Sequence, residues 1–215
     1  MRKYPVLFPR FYRYTLPGGL FRLREEQKTL YLTFDDGPTT DITQKTLEIL
    51  DDYKAPSTFF LIGKNIDQNP EIVEEIKKRG HVIGSHTQNH ANGWKTSLPD
   101  YLNEVDTAAS KVPSRLFRPP YGRIRWKQAS QLQKNGLTLV MWDVISGDFD
   151  LTLSGDECAD LVKKNARPGS IVVFHDSVKA WPRLSVALPK VLEHFSEMGY
   201  VFKALPDGHP AISSS

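Results

Sequence analysis

The stretch Leu30-Tyr31-Leu32-Thr33-Phe34-Asp35-Asp36-Gly37-Pro38 decides how the rest of this chain is read. Its first five residues, apolar but for the β-branched Thr33, read as a short strand buried on both faces, and the run stops abruptly at a Gly-Pro turn. The strand end carries two adjacent carboxylates. Two negative charges side by side repel each other, which predicts positive partners arriving from elsewhere in the chain.

Outward from this strand the sequence alternates regularly. A helical pattern over 41–53 places Ile42, Leu47, Ile49, Leu50 and Tyr53 on one face, and Ser57-Thr58-Phe59-Phe60-Leu61-Ile62 reads as a second buried strand. Asn69 as N-cap, Pro70 at the first helical position, Lys77-Lys78-Arg79 at the end and Gly80 beyond it mark a second helix. Strand patterns recur at 81–85, 115–118, 137–142, 170–174 and 200–203, with helical ones at 99–111, 126–135, 156–165 and 184–198, the last with a kink expected at Pro189. Seven strands alternating with helices predict a parallel α/β architecture.

A length of 215 residues suits one core rather than two. The basic start, Met1 to Arg10, is not followed by the apolar core of a secretion signal, and no window approaches the apolar length of a spanning helix. A cytoplasmic location is therefore expected, with a peripheral membrane protein or an exported one as alternatives. A single cysteine, Cys158, rules out an internal disulfide framework and a cysteine-rich zinc site, so any metal must be held by His, Asp or Glu.

The net charge of +3 is unevenly placed, for residues 1–30 hold seven Lys/Arg against Glu25 and Glu26. The same arm carries Tyr4, Phe8, Phe11, Tyr12, Tyr14 and Phe21. Weak docking on an anionic surface is one reading of it. The favoured one is that its aromatics cap the core, since Pro and Gly interrupt it and no helical stripe is sustained. The domain division is an arm over 1–28, a main domain over 29–205 and a frayed tail over 206–215. No nucleic acid partner is expected.

In parallel α/β folds, chemistry collects where the carboxyl ends of strands meet loops. The strand ends here read Asp35-Asp36, His86 to His90, Arg118-Pro119-Pro120-Tyr121-Gly122, Trp142-Asp143 with Asp148 beyond, and His175-Asp176. His86 and His90 are four apart, so one helical turn would bring both imidazoles to a common ion. Two His and a strand-end carboxylate leave coordination positions open, as a catalytic metal site does. Zinc suits such ligands, and Co2+, Ni2+ or Fe2+ suit them too.

Four segments, Thr33-Phe34-Asp35-Asp36-Gly37-Pro38, His86-x-x-x-His90, Arg118-Pro119-Pro120-Tyr121-Gly122 and Ile171-Val172-Val173-Phe174-His175-Asp176, follow the order and spacing of the polysaccharide deacetylase family. This is the NodB-homology domain, or carbohydrate esterase family 4, and the resemblance spans roughly residues 29–205. It implies a distorted (β/α)7 barrel in a single domain. It also implies a metal-dependent deacetylase acting on N-acetylated amino sugars, of peptidoglycan or chitin type, with a metal-bound water as nucleophile. On the matching positions, Asp36, His86 and His90 would hold a divalent metal, Zn2+ first among them. Asp35 would be the general base and Arg118 its partner. The Tyr121 N–H would serve the oxyanion, His175 would be the general acid, and Asp148 would orient it.

The chain departs from the family pattern at Phe149, where Trp is usual, and at Val173, where Leu is usual. Both changes fall on the expected acyl pocket wall. Asp143 is the alternative partner for His175. His81 reads as a hydrogen-bonded residue at a strand start, and Trp94, Trp126 and Trp181 as sugar platforms or packing. A deformylase or amidase of the same fold, on a lipid-linked sugar or small amide, is the alternative function. A non-catalytic carbohydrate-binding protein is a more distant one.

Overall fold

The computed structural model describes residues 5–8, 16, 18–25 and 27–207. Tyr4, Phe11, Tyr12 and Tyr14 of the arm, its four most N-terminal basic residues and the tail from 208 onward lie outside the described residues. In chain order the elements are β1 (Thr29–Asp35), α1 (Ile42–Asp52), β2 (Thr58–Leu61), α2 (Gly63–Gln68), α3 (Pro70–Lys78), β3 (Val82–Ser85), α4 (Leu98–Ala109) and β4 (Leu116–Phe117). A 3-10 turn (Pro120–Gly122) then precedes α5 (Trp126–Lys134), β5 (Thr138–Leu139), β6 (Val144–Ile145), α6 (Gly155–Asn165), β7 (Ile171–His175), α7 (Trp181–Glu197) and β8 (Val201–Phe202).

All strands pair in parallel, in the order β5-β4-β3-β2-β1-β7-β6, with β8 added beside the start of β1. This curled sheet surrounded by helices is the expected (β/α)7 barrel in one domain. β1 stands at its centre and is buried along its whole length. The period of two explains what it does there. Leu30, Leu32 and Phe34 face outward into the main core with Leu47, Leu50, Leu188 and Phe195 of the helices. Tyr31 faces inward with Phe60, Leu116, Val140 and Ile171. The inward set continues through Thr33 to Asp35 at the open mouth. β7 repeats the pattern, and the register sets Asp35 opposite His175. One alternation therefore brings both groups to the same mouth.

Several local expectations need correction. The fifth strand expected over 137–142 is only Thr138–Leu139, and the chain resumes as a separate strand at Val144. The two do not pair, because the arm fills the gap between them. Leu20 N–H donates to the Leu139 carbonyl (2.8 Å), Met141 N–H to Leu20 (2.7 Å), Phe8 N–H to Asp143 (3.1 Å) and Ile145 N–H to Val6 (3.0 Å). Phe8, Leu16 and Phe21 are buried with Phe117 and Met141. The described part of the arm thus closes the barrel, and its apolar side chains, Leu7 excepted, lie against the core.

The short helix α2 gave no periodic signal, since six residues are under two turns. Asn69 stands at the N-cap of α3 but its side chain does not cap. It accepts from the Thr40 hydroxyl and donates to the Asn65 carbonyl instead. Pro189 sits within the continuous α7, which begins three residues earlier than its apolar pattern. Among the described residues no helix is long and apolar enough to cross a membrane.

Candidate active site

The barrel mouth opens into a cavity of about 610 Å³ lined by Asp35, Asp36, His86, His90, Tyr121 and His175, with Trp142, Ile145, Phe149 and Val173 as apolar wall. Five elements deliver these groups, and each is held by bonds that periodicity does not reveal.

Asp36 follows the end of β1 at φ 82°, a conformation that costs energy for a residue with a side chain. Its carbonyl accepts from Asn65 Nδ2 (2.8 Å), and the N–H of the following Gly37 donates to the Asp176 carboxyl (3.2 Å). A Cβ on Gly37 would stand 2.2 Å from Asp176 Oδ2, so only glycine admits that buried carboxyl. Asp176 also meets the Thr43 hydroxyl at 2.5 Å. Burial pushes its pKa up to about 8, and the Thr43 bond opposes the rise only partly.

Asp36, His86 and His90 offer three ligand atoms within 4.8 Å of one another. His86 follows the last residue of β3, and its Nδ1 lies 2.7 Å from the Arg118 carbonyl. That carbonyl can only accept, so Nδ1 carries the proton and the Nε2 lone pair is turned to the cluster. Burial lowers the His86 pKa to about 4, which keeps the ring neutral as a ligand must be. The residues between the histidines are not a helical turn, contrary to the expectation from their spacing. Thr87 and His90 have positive φ (62° and 58°), and the loop is tied to its neighbours by Gly63 N–H to Thr87, Gln88 N–H to Glu104 and the Glu104 carboxylate on Asn89.

Asp36 Oδ1 is buried and makes no well-formed hydrogen bond, with His90 Nε2 at 3.2 Å and His86 Nε2 at 3.9 Å. Burial by itself would raise the Asp36 carboxyl, yet the surrounding imidazoles of His90, His175 and His86 hold it far below the usual carboxylate range. An orphaned carboxylate oxygen facing two imidazole nitrogens fits a divalent cation.

Asp35 is neutralised differently. Arg118, fully buried, donates to Asp35 Oδ1 (2.7 Å) and to the Thr33 hydroxyl (2.8 Å), and its Nη2 donates to the Met141 carbonyl (3.0 Å). The guanidinium lies 4.1 Å over the Phe60 ring. These bonds satisfy the charge on nearly every side, as a buried arginine requires.

His175 lies across the mouth. Its Nδ1 is 2.7 Å from Asp148 Oδ1, and its backbone N–H donates to Asp148 Oδ2 at 2.7 Å. Burial disfavours the imidazolium, but the Asp148 carboxylate outweighs it, helped by Asp36 and Asp35, and the pKa rises to about 9. Asp143 touches neither His175 nor the cavity. It accepts from the Ser170 hydroxyl (2.7 Å) beside Arg167.

Tyr121 occupies the 3-10 turn at φ 61°, with its ring edge-on to His90 at 4.6 Å. Phe149 and Val173 both stand on the cavity wall, Phe149 with its ring 5.2 Å from His175. His81 accepts from the Ser57 N–H (3.1 Å) and takes no part in the site. Trp94 is exposed at the cavity, whereas Trp181 packs on the core with Lys45 over its ring, and Trp126 is exposed without lining the cavity. Asn65 and Phe60 support the site without standing in any of the four motif segments, whereas Thr33 and Asp176 stand in the segments that carry Asp35 and His175.

A half-barrel that gathers a metal-fitting triad, an arginine-paired carboxylate and an imidazole carried by a carboxylate at one mouth has the constitution of a barrel hydrolase. The chain belongs to the polysaccharide deacetylase family, whose signature matches residues 22–140. It is similar to a peptidoglycan-N-acetylglucosamine deacetylase of Bacillus cereus, 34% identical over 183 residues that cover 82% of this chain and 85% of that protein. Of another protein of that name from the same organism, also 34% identical, it spans 66% of the length. A chitooligosaccharide deacetylase of Azorhizobium caulinodans is 32% identical over 74% of this chain and 79% of its own length. A crystal structure of a peptidoglycan N-acetylglucosamine deacetylase superposes with a TM-score of 0.85 at 30% identity, covering 95% of this chain and 99% of that one.

Proposed function

We propose that this protein hydrolyses the N-acetyl group of an amino-sugar polymer or oligosaccharide, of peptidoglycan or chitin type, with a divalent cation, Zn2+ foremost, held by Asp36, His86 and His90. One observation carries the reading. The triad shares a single cavity with two proton-transfer groups whose surroundings set them to opposite tasks. A bound cation supplies Lewis acidity to the amide carbonyl and lowers the pKa of a water.

The remaining work falls to side chains. Arg118 engages Oδ1 of Asp35, which leaves the second carboxylate oxygen to accept a proton from the attacking water. The Tyr121 N–H donates to the developing oxyanion. His175, held protonated through Asp148, gives its Nε2 proton to the departing sugar amine, which leaves only as a neutral group. Trp142, Ile145, Phe149 and Val173 shelter the acetyl methyl.

Acetate release from chitooligosaccharides and peptidoglycan, with and without a chelator, tests the reaction. Asp35→Asn is expected to keep its metal by calorimetry and lose about 10²–10⁴-fold in turnover. His90→Ala is expected to lose metal affinity. Wild-type turnover by Asp35→Asn would show that the proton is taken elsewhere.

A further inference from the structure

Beyond the reacting groups, the charge of the cavity rim is one-sided. Its ionisable lining, Tyr121 apart, consists of Asp35, Asp36, the three histidines, Arg123 and Lys179. Asp35 is already neutralised by Arg118, and Asp36 faces the imidazoles of the triad. The two that remain, Arg123 and Lys179, are both basic and both exposed. They come from the loops after β4 and β7, with β3, β2 and β1 between those strands in the sheet, so they stand apart around the mouth.

Arg123 is held in an unusual way. Its guanidinium lies 5.1 Å over the Trp94 ring and 5.7 Å over Tyr121. Aromatic faces hold a guanidinium in place without neutralising it or occupying its forked donors. The arginine is therefore positioned by two rings while its charge and donors stay available. Trp94 and Tyr121 are themselves 48% and 59% exposed, which leaves ring surface on which a pyranose can stack.

We propose that Arg123 and Lys179 make the site selective for a glycan bearing carboxylates on the sugars that flank the reacting residue. The matching chemistry is the free lactyl ether carboxylate on alternate sugars of a peptidoglycan-type strand whose stem peptides, which otherwise hold that carboxyl as an amide, have been removed, in preference to a neutral chitin-type chain. This rests on the deacetylase reading and narrows it to one substrate class. The stacked rings supply affinity for any chain of sugars, and the two cations supply the discrimination.

The test compares three substrates on the full chain loaded with Zn2+. They are chitotetraose, peptide-free glycan strands with free lactyl carboxylates, and the same strands methyl-esterified. Acetate release gives kcat/KM, and quenching of tryptophan fluorescence gives Kd whether or not acetate is released. The expected result at low salt is a preference of about tenfold for the free carboxylate over its ester, shrinking severalfold when salt is raised. Arg123→Gln and Lys179→Gln together are expected to bring that ratio close to one. Lys179→Gln alone, which disturbs no ring contact, is expected to lower it part of the way. Equal handling of the two strands by the wild type, or a preference that survives the double substitution, overturns the proposal. Absence of acetate from all three substrates would instead overturn the deacetylase reading, and the Kd ratio would still decide the question of charge.

Discussion

Replacing Asp148 by Asn isolates the group that, in the proposed mechanism, sets the proton His175 gives to the leaving amine. Asp148 meets both Nδ1 and the backbone N–H of His175 at 2.7 Å, and it is the chief reason the imidazole pKa rises to about 9 against the opposing effect of burial. Asn keeps the size and one acceptor but removes the anion. The His175 pKa then falls to the ordinary value of about 6.5 or below, because burial stays and its counterweight goes. A raised histidine holds its proton until the pH passes the raised value. At pH 8 the protonated fraction therefore drops from about 0.9 to about 0.03, while at pH 6 it drops only from about 1 to about 0.8. The kcat/KM ratio of wild type to variant should widen by about 25-fold between pH 6 and pH 8, on top of any constant loss from a less well-held ring. Acetate release measured across that range gives the ratio. NMR titration of the His175 ring in metal-free protein reads the same shift without catalysis. A ratio that stays flat across the range would mean that Asp148 only orients the ring, or that another group supplies the proton.

Two other outcomes follow from buried charges. Arg118→Met removes the guanidinium that satisfies Asp35 and leaves a buried carboxylate unpaired, which should cost about 3–5 kcal/mol in urea unfolding, whereas an exposed charge such as Lys127 removed in the same way should cost under about 0.5 kcal/mol. Asp176 has a folded pKa raised to about 8, so its protonated form stabilises the fold fully below the unfolded value near 4, and that contribution is lost as pH rises toward 8. Asp176→Asn keeps an acceptor for Gly37 N–H and removes the titration. Its thermal midpoint should fall less than that of the wild type between pH 4 and pH 8, and equal slopes would place the buried proton elsewhere.

The parts of the site legible in the sequence were those that local rules control. Alternation along β1 and β7 is enough to send Asp35 and His175 inward together, and the strand-end rule is enough to group them with His86 and Arg118. The shape of the 86–90 loop was not legible. No glycine marks its two positive-φ residues, and the bonds that stabilise them come from Gly63 and Glu104, distant in sequence. The break between β5 and β6 was hidden for the same reason: 137–142 is apolar enough for one strand, and what divides it from Val144 is the arm. The choice of Asp148 over Asp143 likewise depended on which carboxylate the backbone of His175 reaches. Long-range hydrogen bonds leave no periodic trace.

The arm that closes the barrel has a consequence for the order in which the protein is made. Its partners run from Leu20 to Leu139 and Met141, and from Leu23 to Gly169, so this segment is synthesised long before the strands it pairs with. Contacts of such wide sequence separation form late, after most of the chain has collapsed. Until then β5 and β6 present unpaired edges, and Phe8, Phe21 and Leu20 have nowhere to bury. Pro5 and Phe8 also line the cavity, so docking of the arm is what completes its wall. A nascent chain can carry every catalytic side chain and still lack the pocket that makes them useful.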